Sequence, residues 1–194
     1  MPTDDYEKKL REATIGEPTR LKGTITLVDY DPAWPELFAR EAARIRGAIG
    51  ERALRVEHAG STSVPGLAAK PIIDVVLVVV DSADEAAYVP AIEATGYALR
   101  IREPDWHEHR VLKRDDPAVN LHVFSDGSSE VARMIAFRDW LRAHPEDRDL
   151  YERTKRELSA RNWVYVQQYA DAKTAVVEEI VARAQAGNRP PGIG

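Results

Sequence analysis

The run from Ile72 to Val80 constrains the fold of this chain more than any other segment. It is apolar and largely β-branched, and Asp74 is its only polar residue. A continuous apolar strand is typical of the interior of a sheet that is covered on both faces. The segment therefore predicts a central strand that carries a single acidic side chain.

Patterns typical of helices and strands alternate along the rest of the chain. Helices are predicted over residues 4–13, 31–49 and 84–95. A further helix is predicted from residue 128 to a break at Pro145, another begins there, and the last is predicted over 162–184. Further strands are predicted over residues 24–28, 54–58, 97–101, 109–113 and 120–124. Together they predict an α+β fold, a mixed sheet flanked by helices with a helical C-terminal third. We expect one domain over residues 24–186, after a charged N-terminal extension at 1–23 and before a disordered tail at 187–194.

Composition excludes several kinds of chemistry. The 194 residues include no cysteine, so disulfides, thiolate zinc sites and cysteine nucleophiles are excluded, and any metal must be bound by Asp, Glu or His. A net charge of −5 argues against nucleic acid as a partner. The charged first residues and the absence of a long apolar run predict neither a signal peptide nor a membrane span, and hence a cytoplasmic protein.

The string EHAGSTSVPGLAAKPIID, from Glu57 to Asp74, carries most of the chemical information. A glycine at position 60 permits a positive φ or a close backbone approach, and Ser61, Thr62 and Ser63 offer hydroxyl and N–H groups to an anion. Asp74 follows on the predicted central strand, where a carboxylate is suited to a hard cation. A turn of this composition is also common without any ligand, and that interpretation stays open.

The chain resembles the GrpB family, which is assigned to the nucleotidyltransferase superfamily. The resemblance rests on the string just described, on Trp34 and Phe38, and on the motifs NLHVF, FRDWLRAHP and Tyr-x-x-x-Lys at residues 120–124, 137–145 and 151–155. It covers residues 24–185. It implies a nucleotidyltransferase-like fold with a nucleotide pocket, in which the Gly60–Ser63 turn binds phosphate and Asp74 binds a metal.

The sequence departs from active nucleotidyltransferases at the metal site. Such enzymes carry Asp-x-Asp on the strand and a third carboxylate on a neighbouring strand, whereas here Val76 follows Asp74 and a later strand offers His122. Asp74 and His122 are the candidate catalytic residues, and Glu57 is a candidate third metal ligand. Magnesium or manganese is the expected cofactor, with substrate phosphates completing the coordination shell.

Three further cations are candidates for phosphate binding: Lys70, Arg138 and Lys155. Lys155 stands four residues after Tyr151, and Lys173 stands four after Tyr169, so each ammonium group is expected above a phenol ring. Ordinary packing with extended lysine stems is the alternative. We expect His58 to brace the turn. The polar residues 105–110 indicate surface polarity more than a metal site.

Two classes of function agree with these features. One is an enzyme that transfers a nucleotidyl group from a nucleoside triphosphate to a small acceptor with metal assistance. The other is a catalytically reduced binding or regulatory module, which the missing second aspartate favours. A small carboxylate as the ligand is a third hypothesis, since an arginine pair at 138 and 142 would accept it.

Overall fold

A computed structural model describes residues 2–21 and 23–187. Its centre is a five-stranded mixed sheet with the strand order β1-β2-β5-β4-β3. The strands are β1 (Arg55–Ala59), β2 (Ile73–Val79), β3 (Ala98–Glu103), β4 (His109–Asp115) and β5 (Ala118–Ser125). The central pair, β2 and β5, is parallel, and the other neighbours are antiparallel. The apolar run with its single aspartate is therefore a central strand, as predicted.

Seven helices surround the sheet in the described part of the chain. They are α1 (Asp4–Ala13), α2 (Trp34–Ile49), α3 (Val89–Glu93), α4 (Ser129–Ala143), α5 (Pro145–Ser159), α6 (Val166–Asp171) and α7 (Thr174–Gly187). The predicted α+β fold with a helical C-terminal third is confirmed. None of these helices is long and apolar enough to cross a membrane.

The two faces of the sheet are buried against different helices. Val75 and Leu77 belong to the core cluster that includes Ile45 of α2 and Ile92 of α3. On the opposite face, Val76 packs with residues of α4 such as Val131. Because side chains alternate along β2, both faces of this strand are covered, which accounts for its continuous apolar sequence. Asp74 shares the α4 face with Val76.

Three predicted elements differ from the structure. Residues 24–28 form no strand but a single bridge between Val28 and Ala69, whose N–H groups and carbonyls pair at 2.9 Å. The predicted helix over 84–95 is a 3₁₀ turn followed by the short α3, whose first turn contains Pro90. The predicted last helix is two helices, since the chain tightens at Lys173, whose N–H donates to the carbonyl of Ala170.

The N-terminal extension packs on the domain. Thr14 forms a bridge with Ile101 of β3, and Arg20 forms one with Tyr165, just before α6. The Tyr6 hydroxyl donates to Asp171 of α6 at 2.7 Å. A cavity of about 60 Å³ lies between this segment and the domain and is lined in part by Lys113 of β4. Of the predicted disordered tail, Gly187 ends α7 and the remainder lies outside the described residues.

Candidate functional site

The strand registers place the predicted site residues in two adjacent rows across one face of the sheet. In the first row, Asp74 is paired with Ala59 on one side and Asn120 on the other, and Asn120 is paired with Lys113. In the second row, Val76 stands between Glu57 and His122. Since directly paired residues point to the same face, Asp74 has Asn120 beside it and His122 as a diagonal neighbour.

Asp74 is held as a carboxylate. Asn120 Nδ2 donates to its Oδ1 at 2.9 Å, and His122 Nε2 lies 3.6 Å from the same oxygen. Burial opposes ionisation, but the contacts with His122 and Asn120 and the charge of Lys70 outweigh it, so the pKa of Asp74 lies below its ordinary value. The side chain keeps 28% of its surface exposed. It therefore remains available to a ligand.

The turn after β1 is built directly against this carboxylate. Gly60 has φ +65° and ψ −172°, a conformation that is essentially confined to glycine. A Cβ at this position would lie 2.9 Å from Cβ of Asp74 and closer still to its carboxylate. Glycine is required here for two reasons, the backbone conformation and the close approach of Asp74.

Two of the three hydroxyl side chains in the turn are used internally. Thr62 is 1% exposed and its hydroxyl lies 3.0 Å from Nε2 of His58. Ser63 is 4% exposed and donates to the carbonyl of Gly60 at 2.6 Å. Ser61 is half-buried and meets a cation instead, since Lys155 Nζ donates to its hydroxyl at 3.0 Å. Ser61 is thus the hydroxyl of this turn that is placed to meet an anion.

His58 braces the turn, as expected. Its ring is stacked on Phe38 of α2 with centroids 4.7 Å apart, and it is 7% exposed. Burial lowers the pKa of His58 to about 4, although the charge of Asp74 opposes the shift. A neutral ring at ordinary pH fits a structural role.

Lys155 of α5 is a buried cation that ties the turn to the following loop. Its ammonium group donates to Ser61 and to the carbonyl of Ala68, and it lies 4.8 Å from the centroid of the Tyr151 ring. The residue is only 2% exposed. Burial, together with the charge of Lys173, lowers its pKa to about 7. The predicted arrangement of phenol and ammonium is present here.

Three more lysines surround Asp74, namely Lys70, Lys113 and Lys173. All are half-buried, and burial is the main reason that each has a lowered pKa, while the charge of Asp74 opposes each shift. Lys70 and Lys173 lie 5.7 and 4.8 Å from the centroid of the Tyr169 ring. The lysine–carboxylate ion pairs of the described residues involve Lys8 and Lys9 of α1 and none of these three. A bound anion would offset both the free-energy cost of burying these ammonium groups and the repulsion between them.

The Tyr169 phenol lies within the same region. Its ring is 1% exposed, and its hydroxyl is buried without a hydrogen-bond partner among the described residues. Burial raises the pKa of this hydroxyl well above its ordinary value, so it stays a neutral donor. A buried unpaired donor is costly unless a further group satisfies it.

A chain of hydrogen bonds reaches His122 from the edge of the sheet. Glu103 of β3 lies 2.7 Å from Nδ1 of His109, and Nε2 of His109 lies 3.0 Å from Nδ1 of His122. His109 is 5% exposed and packs on Phe124 with ring centroids 4.6 Å apart. Burial lowers the pKa of His109, although Glu103 opposes the shift.

Glu57 is separated from the other two predicted metal ligands. Its carboxylate accepts from Arg55 and from Arg138 of α4, each at 2.9 Å. These contacts bring its pKa below its ordinary value despite burial, which acts in the opposite direction. The described residues contain no group of three or more His, Asp or Glu side chains that could hold a metal ion. The structure brings Asp74 and His122 together without Glu57.

The predicted arginine pair is engaged with the protein. Besides Glu57, Arg138 donates to Asp139 and to the carbonyl of His58. Arg142 donates through Nε and Nη2 to the carbonyl of Ser63, at 3.0 and 2.7 Å. Both side chains therefore fasten α4 to β1 and to the turn.

Asp74 and His122 offer one oxygen and one nitrogen to a cation. That donor set suits a divalent transition ion better than magnesium, which prefers an oxygen shell. Ligand phosphates would supply the remaining oxygens. Val76, where a second aspartate would stand, is fully buried against Val78 and Phe124.

Sequence reasoning missed Lys113, Asn120, Glu103 and His109 as members of this network. Asn120 opens the NLHVF motif but was given no role of its own, His109 lies in the polar run 105–110 that was expected at the surface and is buried instead, and Glu103 and Lys113 belong to no motif. The signal that could have found them is the short connection between β4 and β5, because pairing Asp115 with Ala118 fixes the pairs Lys113–Asn120 and Val111–His122.

The fold and the site define a class of protein: an α+β domain whose sheet presents one carboxylate to a ring of partly buried lysines. Residues 24–183 match the family described as GrpB protein. The chain belongs to the GrpB family.

Named relatives agree with this assignment. The chain is 61% identical over 184 residues to a UPF0157 protein of Halalkalibacterium halodurans, which covers 95% of this chain and 94% of that protein. It is 32% identical to a dephospho-CoA kinase of Mycolicibacterium paratuberculosis over 72% of this chain but only 41% of that protein. The crystal structure of the conserved protein GrpB from Enterococcus faecalis matches with a TM-score of 0.70 and 30% identity, over 84% of this chain and 98% of that one.

Proposed function

We propose that this protein binds a polyphosphorylated small molecule, with a nucleoside triphosphate as the first candidate, at the site formed by the Gly60 turn, Asp74 and the lysines. The observation that carries the proposal is the set of half-buried lysines with lowered pKa values and no ion-pair partner among the described residues. Ammonium groups gathered around one carboxylate leave an excess of positive charge, which a ligand with several negative charges neutralises.

The residues divide the binding task between them. Ser61 and Lys155 lie at the turn, where a terminal phosphate would meet a hydroxyl and an ammonium group. Lys113 of β4 adds a positive charge to the row that contains Asn120 and Asp74. Asp74 and His122 would hold a divalent cation whose other ligands are phosphate oxygens. Such a cation supplies charge stabilisation to phosphoryl or nucleotidyl transfer.

We infer that any transfer runs through a single protein carboxylate. Val76 occupies the place of a second aspartate and is fully buried, so a two-metal site of the usual kind lacks its bridging ligand. The alternative function, a binding or regulatory module that keeps the pocket without the chemistry, is favoured by that substitution. The dephospho-CoA kinase relative does not decide between them, because this sequence contains no Gly-Lys pair and hence no P-loop.

Calorimetric titration of ATP, ADP and AMP, with and without Mn²⁺, tests the binding proposal. We expect affinity to rise with the number of phosphates, and Lys113→Met and Lys173→Met each to weaken ATP binding by about 10- to 100-fold, the loss typical of one charge-assisted contact. Lys8→Met, on the exposed helix α1, is the matched control and should bind normally. Equal affinity in all three variants would refute the proposed pocket.

Product formation separates the enzyme from the binding module. Wild type, Asp74→Asn and His122→Ala are incubated with labelled ATP or CTP and a panel of small acceptors. Labelled product from wild type, abolished in Asp74→Asn, would establish transfer, and His122→Ala should then reduce kcat more than it weakens binding. Binding without product across the panel would support the reduced module.

A further inference from the structure

Four polar side chains form a diagonal line across one face of the sheet. Glu103 of β3, His109 of β4, His122 of β5 and Asp74 of β2 contribute one residue from each of four strands. The three contacts along the line measure 2.7, 3.0 and 3.6 Å from Glu103 to Asp74. A row of this kind is a continuous path from a sheet edge to the candidate site.

The two imidazole rings are joined by a hydrogen bond in the plane of the rings. Their planes differ by only 8° and their centroids are 5.2 Å apart. Nearly parallel rings whose nitrogens are 3.0 Å apart cannot lie one above the other, because ring stacking requires about 3.5 Å between the atoms. The rings therefore lie side by side, which allows one N–H to point directly at the other nitrogen.

The lengths of the contacts show which of them is not a hydrogen bond. A carboxylate oxygen can only accept, so each hydrogen bond along the line needs an N–H group of an imidazole ring. The two shorter contacts are of hydrogen-bond length and the contact between His122 and Asp74 is too long. Because the Glu103 carboxylate accepts the proton of His109 Nδ1, Nε2 of His109 is left as an acceptor, and the proton of His122 must be on Nδ1.

We infer that Glu103 and His109 are positioning residues that hold the His122 ring with Nδ1 as the hydrogen-bond donor to His109 and Nε2 directed at Asp74. Nε2 and the carboxylate oxygen lie 3.6 Å apart without a hydrogen bond between them, so both can act as ligands of one cation. In metal sites, a carboxylate or carbonyl on the far nitrogen of a ligating histidine plays the same part, and its loss typically costs 10- to 100-fold in metal affinity. Here a second imidazole stands between the carboxylate and the ligating ring.

Loss of Glu103 is expected to reverse the direction of the hydrogen bond between the two histidines. Without Glu103, His109 has no acceptor on its Nδ1 side, so its proton moves to Nε2 and is donated to His122. His122 must then carry its own proton on Nε2 and donate it to Asp74. Removing a half-exposed side chain on β3 thus closes the gap at Asp74, three strands away. Glu103 has 37% of its side chain exposed, so its loss is tolerable to the fold.

Long-range ¹H–¹⁵N correlation spectra of histidine-labelled, ligand-free protein read the tautomers directly. We expect wild-type His109 and His122 both to be protonated at Nδ1, and both to be protonated at Nε2 in Glu103→Ala. His109→Leu should move the proton of His122 alone. The control Asp105→Ala removes an exposed carboxylate two residues away and should leave both tautomers unchanged. A wild-type His122 protonated at Nε2 and not at Nδ1 would overturn the inference.

The second readout is Mn²⁺ affinity in the presence of ATP. It rests on the proposed function, whereas the tautomers do not. We expect Glu103→Ala to weaken Mn²⁺ binding by about 10- to 100-fold relative to Asp105→Ala. Unchanged Mn²⁺ affinity with the tautomer reversed would refute the role of the relay at a cation site. Failure of wild type to bind ATP and Mn²⁺ would instead refute the proposed function and leave the tautomer result standing.

Discussion

At the scale of single residues, the contact between Gly60 and Asp74 leaves no space for a side chain at position 60. A Cβ on Gly60 would overlap the carboxylate, and the backbone conformation disfavours any other residue. We expect Gly60→Ala to lower the free energy of unfolding by about 1–3 kcal/mol, the usual cost of such backbone strain, and to weaken ATP binding because Asp74 must move. Urea denaturation and calorimetry measure the two effects.

Gly47→Ala is the matched control for that variant. Gly47 lies within α2, and a Cβ there would meet nothing within 4 Å. Replacing a helical glycine by alanine is expected to stabilise the protein by roughly 0.5–1 kcal/mol. Equal stability changes in the two variants would mean that the Gly60 conformation is not under constraint.

At the scale of elements, the site is held by helix α4 as much as by the sheet. Arg142 donates two hydrogen bonds to the carbonyl of Ser63, in the 3₁₀ turn that carries Ser61. We expect Arg142→Met to lower the free energy of unfolding by about 1–3 kcal/mol, because a carbonyl loses a charged donor. Amide exchange at Ser63 and Val64, which donate within the turn, should accelerate.

Arg133→Met on the same helix is the comparison. Arg133 pairs with Glu130 within α4 and does not touch the turn, so its removal should cost less than about 1 kcal/mol. Exchange at Ser63 and Val64 should stay as in wild type. If both variants accelerate exchange equally, α4 is destabilised as a whole and Arg142 has no specific role at the turn.

Elements were easier to predict from sequence than their arrangement. The central strand and the turn were legible because an apolar run and a Gly-Ser pair have few other solutions. Lys113 and His109 were not, because a lone lysine or histidine on a strand has no pattern and acquires meaning only from the residue beside it in space. The strand register supplies that neighbour. Alternation alone does not ensure a strand, since the alternating segment 24–28 forms only one bridge.

At the scale of the whole molecule, the buried lysines make stability depend on pH. Lys155 has a folded-state pKa of about 7 against an ordinary value of 10.5, so between these values the unfolded chain binds a proton that the folded chain does not. Stability therefore rises with pH through this window, and the gain is lost as pH falls from 10.5 towards 7, below which both states carry the proton. We expect wild type to gain up to about 3 kcal/mol over Lys155→Met between pH 7 and 9.5, at about 1.4 kcal/mol per pH unit.

Urea denaturation of both proteins at the two pH values tests this sign. Lys70, Lys113 and Lys173 shift in the same direction and remain in the variant, so only the difference between the two proteins belongs to Lys155. If the free energy of unfolding of wild type fell relative to that of Lys155→Met as pH rises, the pKa of Lys155 would not be lowered in the folded protein.

The parallel pairing of β2 with β5 ties the site to the order in which the chain folds. Asp74 and Asn120 meet across this pair, yet the whole β3–β4 segment lies between them in sequence. Local hairpins close quickly, whereas pairings between distant segments must first overcome the entropy of a long loop. The carboxylate and its partners on β5 are therefore brought together by the strand pairing that closes the longest loop in the sheet. Until β5 pairs with β2, Asp74 lacks Asn120 and His122 as neighbours, so ligand capture would report that this pairing has formed.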